Sequence, residues 1–169
     1  MSAIELLSRF KQDLDQYSSN QLRYKEKTDV WSIGQMYDHI IVVAHEYLDE
    51  MEVCLTNAEH QPLGKTEFGE LLFSDGGFPP IKIKLPDEMN GPPDNTDSRE
   101  ALKRRLDDLI TRLEKCAPMI RAADPNCKAL HGGFGWLNAQ EWYTLIEMHT
   151  RHHLLQQAEL EQYLRAFHD

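Results

Sequence analysis

This chain is short of cysteine, of long hydrophobic runs and of positive charge, and each shortage removes a class of protein. Its 169 residues hold three cysteines, Cys54, Cys116 and Cys127, with no Cys-x-x-Cys pair. An odd, scattered set argues against a disulfide framework or a cysteine-built zinc site and fits reduced thiols inside a cell. Cys54 and Cys116 fall on apolar helical stripes and read as small core residues. Cys127, in a loop after Pro125, is the one to test for reactivity. No apolar stretch approaches the ~18 residues a membrane span needs, and no secretory leader precedes Ser2. A soluble, cytoplasmic protein with no membrane partner is expected. Eighteen basic residues against 28 acidic ones leave a net charge of −10, which repels phosphate backbones and excludes nucleic acid as a partner. Lys103-Arg104-Arg105 shares its helix with Asp107 and Asp108 and reads as a solvated face.

What is present is helical periodicity. A 41% hydrophobic and 27% charged composition is that of an ordinary globular chain, and the length suits one domain over 1–169. Four segments repeat apolar residues at steps of three and four: about Ala3 to Tyr17, Ile33 to Asn57, Ser98 to Ala122 and Ala139 to Phe167. They predict an all-α fold, a four-helix bundle. Pro118 inside the third segment predicts a kink or an earlier stop. Ser32 with Gln35, and Asn138 with Glu141, are spaced as capping boxes at the starts of the second and fourth helices. The stretch from about Ala58 to Asp97 holds Pro62, Gly76-Gly77, Pro79-Pro80, Pro86 and Gly91-Pro92-Pro93, too many breakers for a long helix. Ile81-Lys82-Ile83-Lys84-Leu85 alternates and reads as an extended piece lying along the bundle. A crossover this long between helices two and three lets them run parallel, giving an up-down-down-up order.

The fourth segment carries the chemistry. Its stripe reads Trp142, Leu145/Ile146, His149, His152/His153, Gln156, Leu160, Tyr163, Phe167, so imidazoles and a glutamine stand where hydrocarbon is expected. A buried imidazole without a partner costs on the order of 1–3 kcal/mol, so the interruption needs a partner. His149 and His153 are four apart and sit one above the other, a spacing that can chelate one transition metal. The plainer alternative is a set of hydrogen-bonded core or boundary histidines. A metal site on a bundle needs a third ligand from another helix. His39, at the edge of the Met36/Ile40/Val43 stripe, is the best candidate. His45 points well away from it and reads as a boundary residue, and His60 and His168 are expected to be solvated.

At this point the residues resemble the DinB-like metal-binding four-helix proteins. The matching text is Trp31-Ser32-x-x-Gln35-x-x-x-His39, His131-x-x-Phe134-Gly135-x-Leu137-x-x-x-Glu141-Trp142, and His149-x-x-His152-His153-x-x-Gln156. With the four-helix pattern and the crossover, the likeness covers nearly the whole chain. Gly132 departs from it, because proline is expected before Phe134-Gly135. The resemblance implies a divalent metal, nickel or zinc, held by His39, His149 and His153, with His152 as the neighbour that is not usually a ligand. The competing register places His152 on the metal instead of His153, since three and four residues both reach one face. Asp38, Glu46, Gln35, Glu147 and Gln156 are within reach of a metal-bound imidazole, and Gln156, one turn on, is the preferred partner.

Characterised members of the resembling family include thiol-dependent transferases and a thiol-using isomerase. The implied function is therefore a metal-dependent S-transferase of the detoxification type, joining a low-molecular-weight thiol to a small-molecule electrophile. The alternatives are metal-dependent hydrolysis of a small substrate and a non-enzymatic, stress-associated metal-binding role. The resemblance also implies a homodimer.

Overall fold

The computed structural model describes residues 1–57, 59–81 and 91–167. In order they form α1 (Ala3–Asp13), a 3-10 turn (Leu14–Gln16), α2 (Ser19–Arg23), α3 (Ile33–Thr56), α4 (Glu67–Asp75), α5 (Arg99–Arg121), β1 (Lys128–His131), β2 (Gly135–Asn138) and α6 (Ala139–Leu164). The protein is mostly helical, and the long helices are the four that the periodicity marks.

Local chemistry sets where they begin. Ser32 Oγ accepts the Gln35 N–H at 3.0 Å while Gln35 Oε1 accepts the Ser32 N–H at 3.0 Å. Asn138 and Glu141 reciprocate in the same way at 2.9 and 3.0 Å. Each box satisfies two backbone donors that a helix start leaves without an intrahelical partner. Pro118 does not stop α5, which runs one turn past it to Arg121. That close to the end, a missing N–H costs a single helical bond. The first helix closes earlier than its periodicity suggests, its last turn tightening to 3-10; the fourth ends at Leu164, short of Phe167, whose ring packs on Tyr24 at 4.5 Å.

Side-chain pairs give the helix directions. Lys11 meets Asp107 and Asp15 meets Lys103, so α1 and α5 are antiparallel. Arg105 binds Asp38, and Arg112 binds His45, Asp49 and Glu52, so α3 and α5 run parallel. His39 lies against His149, and Cys54 Sγ donates to Leu137 O, so α3 and α6 are antiparallel. Gln157 Nε2 donates to Asp13 Oδ2 at 2.9 Å and to the Tyr17 hydroxyl at 3.1 Å, and Tyr17 donates to Glu161; α1 and α6 are parallel. Between them lies a core of Leu7, Phe10, Met36, Ile40, Leu106, Leu113, Trp142 and Leu145, all buried. Burying each such side chain stabilises the fold by about 1.5–3 kcal/mol.

The short helix α2, α4 and the two strands lie outside the four-segment pattern. α4 starts at Thr66, whose Oγ accepts the Gly69 N–H at 3.0 Å, and ends at Gly76 in a left-handed conformation. β1 and β2 form an antiparallel hairpin, and the segment before α4 pairs onto its turn: Thr66 N–H donates to Phe134 O at 2.9 Å and Trp136 N–H to Gly64 O at 3.1 Å. Two glycines permit the approach. A Cβ at Gly69 would stand 2.2 Å from Phe134 O, and Gly135 combines φ +88° with a Cβ position 2.6 Å from Thr66 N. Gly132 carries no such demand: its φ is not left-handed and open space surrounds it, so the position requires nothing peculiar to glycine. Of the alternating run, only Ile81 falls among the described residues; 82–85 lie outside them, as do Ala58, Pro86 and His168.

Candidate metal centre

The imidazoles of His39, His149 and His153 converge where α3 crosses α6. His149 Nε2 lies 3.2 Å from His39 Nε2 and 3.1 Å from His153 Nε2, and the three ligand atoms all fall within 4.8 Å of one another. His149 and His153 are 4% and 9% exposed; His39 stands half-buried at the core edge, as its helical phase requires. His152 is turned away, its ring 5.4 Å from that of Phe78.

Gln156 fixes the tautomer. The His153 Nδ1–H donates to Gln156 Oε1 at 2.7 Å, which leaves the Nε2 lone pair bare and aimed at His149. Of the other polar residues within helical reach, Asp38, Gln35 and Glu147 are engaged elsewhere, and Glu46 lines the cavity beside His39. Asp38 accepts Arg105 at 2.8 Å and the Asp94 N–H at 3.0 Å. Gln35 caps α3 and donates to Pro93 O, and Glu147 pairs with Arg151. The buried glutamine of the stripe is Gln157, one residue beyond Gln156, and it serves the contact with α1.

Burial sets the protonation. It lowers the His39 pKa to about 4 and that of His153, also opposed by His39, to about 3; His149 is pushed well below its ordinary value by burial and by the two rings beside it. Three neutral imidazoles therefore face one another near pH 7. One proton on His149 Nε2 can bridge to only one neighbour and leaves the other contact lone pair to lone pair. A cation satisfies all three. Metal–nitrogen bonds of 2.0–2.1 Å place adjacent ligands roughly 2.9–3.4 Å apart, a window that includes the observed 3.1 and 3.2 Å. The donor set fits a divalent metal.

A cavity of about 310 Å³ opens beside His39, walled by Trp31, Val42, Glu46, Tyr47 and His131 and rimmed by the crossover at Gly91–Asp94. Trp31 packs on His39 with ring centroids 4.9 Å apart, and Tyr47 approaches His149 at 6.0 Å. His131 enters from β1. Its Nδ1 accepts the Gly133 and Phe134 N–H groups at 3.0 and 3.1 Å, so the neutral ring carries its proton on Nε2, a donor with no hydrogen-bond partner among the described residues. It stacks on Phe134 at 4.2 Å, and burial lowers its pKa to about 4. Sequence periodicity places Tyr47 on the apolar stripe of α3 and leaves His131 to the motif resemblance alone, because the hairpin that delivers His131 has too short a pattern to register.

A family model for the DinB superfamily matches residues 5–157. The chain belongs to the DinB superfamily. The match spans α3 and most of α6, with all three imidazoles, and implies the four-helix bundle fold for this chain. No curated protein and no solved structure matches it. No helix of the described residues is long and apolar enough to cross a membrane. His45 accepts a hydrogen bond from Arg112 at 2.9 Å on another side of α3 and takes no part in the cluster. His60 is exposed yet not merely solvated, since it pairs with Asp124 at 2.8 Å. Cys127 lies in the loop after Pro125, yet it is buried like Cys54 and Cys116, so exposure does not single it out as the reactive thiol.

Proposed function

We propose that this DinB-superfamily chain is a metal-dependent enzyme that couples a low-molecular-weight thiol to a small electrophile, with nickel or zinc held by His39, His149 and His153. The observation that carries the reading is the convergence of three neutral imidazoles, one of which, His39, also lines a cavity. A divalent ion there supplies Lewis acidity that favours the ionised form of a bound thiol or water. The chain's own residues do the rest. Gln156 orients His153, and burial keeps all three imidazoles free of competing protons. Trp31, Val42 and Tyr47 offer an apolar wall for the electrophile, and the His131 Nε2–H is placed to hydrogen-bond an oxygen on it.

A specific observation supports a second reading, hydrolysis of a small ester or amide. Glu46 lines the same cavity, and partial burial together with Asp49 raises its carboxyl pKa, the direction a general base requires. Protein purified without a histidine tag, analysed for metal and screened with several thiols against a chloronitrobenzene electrophile, tests both. Metal-dependent thiol consumption that His149→Ala abolishes supports transfer. Thiol-independent ester or amide turnover overturns transfer in favour of hydrolysis. Stoichiometric metal without either activity leaves a non-enzymatic metal-binding protein.

The same reading takes 1–169 as one domain, which the 5–157 family match supports, and the four long helices as an up-down-down-up bundle, which the cross-helix pairs support. The resemblance to DinB-like proteins supports a cytoplasmic homodimer. A sedimentation result showing only monomer at micromolar concentration removes the dimer.

A further inference from the structure

At the opposite end of α3, roughly 25 Å along the helix from His39 at 1.5 Å per residue, three unlike donors meet. His60 Nε2 lies 2.8 Å from Asp124 Oδ2, and one ligand atom from each of His60, Asp124 and Cys127 stands within 4.8 Å of the other two. We propose that His60, Asp124 and Cys127 form a second metal site for a borderline, thiol-accepting divalent cation of the zinc class.

The donors are held in place by their surroundings. Asp124 Oδ1 accepts the Asn126 N–H at 2.9 Å and its side-chain amide at 3.1 Å, which turns Oδ2 toward His60. Asp124 O accepts the Cys127 N–H at 3.2 Å, and this turn brings the thiol round to the carboxylate. The Gln61 N–H donates to Asn126 O at 2.9 Å, and Lys128 Nζ to Leu63 O at 2.8 Å. Segments 60–63 and 124–128, remote in sequence, are thereby clipped together before any ion binds.

Exposure grades across the cluster in the sense an entry path needs. Cys127 is 6% exposed, at the floor, while the His60 and Asp124 side chains are 63% and 45% exposed, at the mouth. As a bare surface contact, His60 and Asp124 add little to stability. A sulfur beneath them changes the chemistry. Thiolate, imidazole and carboxylate together favour zinc-class ions over magnesium or calcium, which take oxygen ligands. Binding converts the Cys127 thiol to a metal thiolate and releases one proton to solvent; the thiolate and the Asp124 carboxylate then balance the dication. This set differs from the three-nitrogen cluster in ligand type, so the two sites can be read separately. Three cysteines without a Cys-x-x-Cys exclude a cysteine-only site, but not one that joins Cys127 and the nearby Asp124 to a histidine more than sixty residues away.

Reduced, metal-free protein titrated with cobalt(II) tests the proposal, because only a thiolate ligand gives the near-ultraviolet sulfur-to-cobalt charge-transfer band. The band should appear in the wild type and persist in His149→Ala and in Cys54→Ala. Cys127→Ser should abolish it. His60→Ala and Asp124→Asn should weaken apparent cobalt affinity by at least about tenfold, the loss that follows even from removing an outer partner; Asn at 124 keeps the acceptor that holds the turn. Absence of the band in the wild type, its survival in Cys127→Ser, or unchanged affinity in both His60→Ala and Asp124→Asn overturns the site. Far-ultraviolet circular dichroism of each variant separates ligand loss from unfolding.

Discussion

Gln156 Oε1 lies 2.7 Å from His153 Nδ1 and decides which nitrogen of that ring faces His39 and His149. An outer partner of this kind raises ligand basicity and holds ring orientation, and its loss typically costs 10–100-fold in metal affinity. Gln156→Ala is therefore expected to weaken nickel or zinc binding by about 10–100-fold, measured by competition with a chromophoric chelator. Gln156→Glu, which keeps an acceptor, should retain most of it. Equal affinity in wild type and Gln156→Ala would show the contact to be incidental.

Single replacement of His39, His149 or His153 by alanine should empty the centre while the helical spectrum persists, since the rest of the core is apolar. His45→Ala should leave metal at this centre unchanged, its Nδ1 being turned to Arg112. His152→Ala is the sharper control. Its ring lies on Phe78, so metal should remain; an empty centre in His152→Ala with a full one in His153→Ala contradicts the observed register of α6.

Gly69→Ala sets a Cβ against Phe134 O, forcing α4 off the hairpin that carries His131. A loss of about 1–3 kcal/mol is expected, the usual cost of overpacking, together with reduced turnover from a cavity that has lost its His131 wall. Gly64→Ala meets nothing within 4 Å and should melt like the wild type. Matching melting curves for the two variants would mean that the hairpin contact is slack.

His131 predicts a pH dependence with a definite sign. Its ring stays neutral in the folded chain down to about 4, against an ordinary value of 6.5. Between those values the unfolded chain binds more protons, so stability is full above pH 6.5 and falls as pH drops toward 4. In chelator-treated protein, the urea midpoint near pH 5 should lie below that above pH 7. His131→Asn, which keeps an acceptor for the Gly133 and Phe134 N–H groups, should reduce the difference. A midpoint that rises on acidification would reverse the assignment.

The bundle and its histidine cluster are legible in the sequence because they rest on strong, repetitive signals. Ser32/Gln35 and Asn138/Glu141 announce helix starts by chemistry local to four residues. His149 and His153 announce a shared face by spacing, and His39 was found by its phase against Met36 and Ile40 together with the motif resemblance. What escaped was tertiary. The hairpin has four residues a side, too short for alternation to stand out, and α4 is a nine-residue helix among breakers, held by contact with Phe134. Gln157 rather than Gln156 is the buried one because it meets Asp13 and Tyr17, a contact between helices that spacing along α6 does not encode. The grouping of His60 with Asp124 and Cys127 depends on a loop docking that no periodicity encodes.

Consecutive glutamines on α6 look in different directions, Gln156 to His153 and Gln157 to Asp13 and Tyr17. The helix is thus tied to α1 within one turn of the imidazole cluster and capped at Asn138 on the other side. Removing one residue between these ties would swing His149 through about 100° and draw it back about 1.5 Å, and no side-chain adjustment restores three nitrogens to one point. A residue inserted or deleted between 138 and 157 is therefore expected to scatter the three rings, whereas one in a connection between helices leaves their register intact.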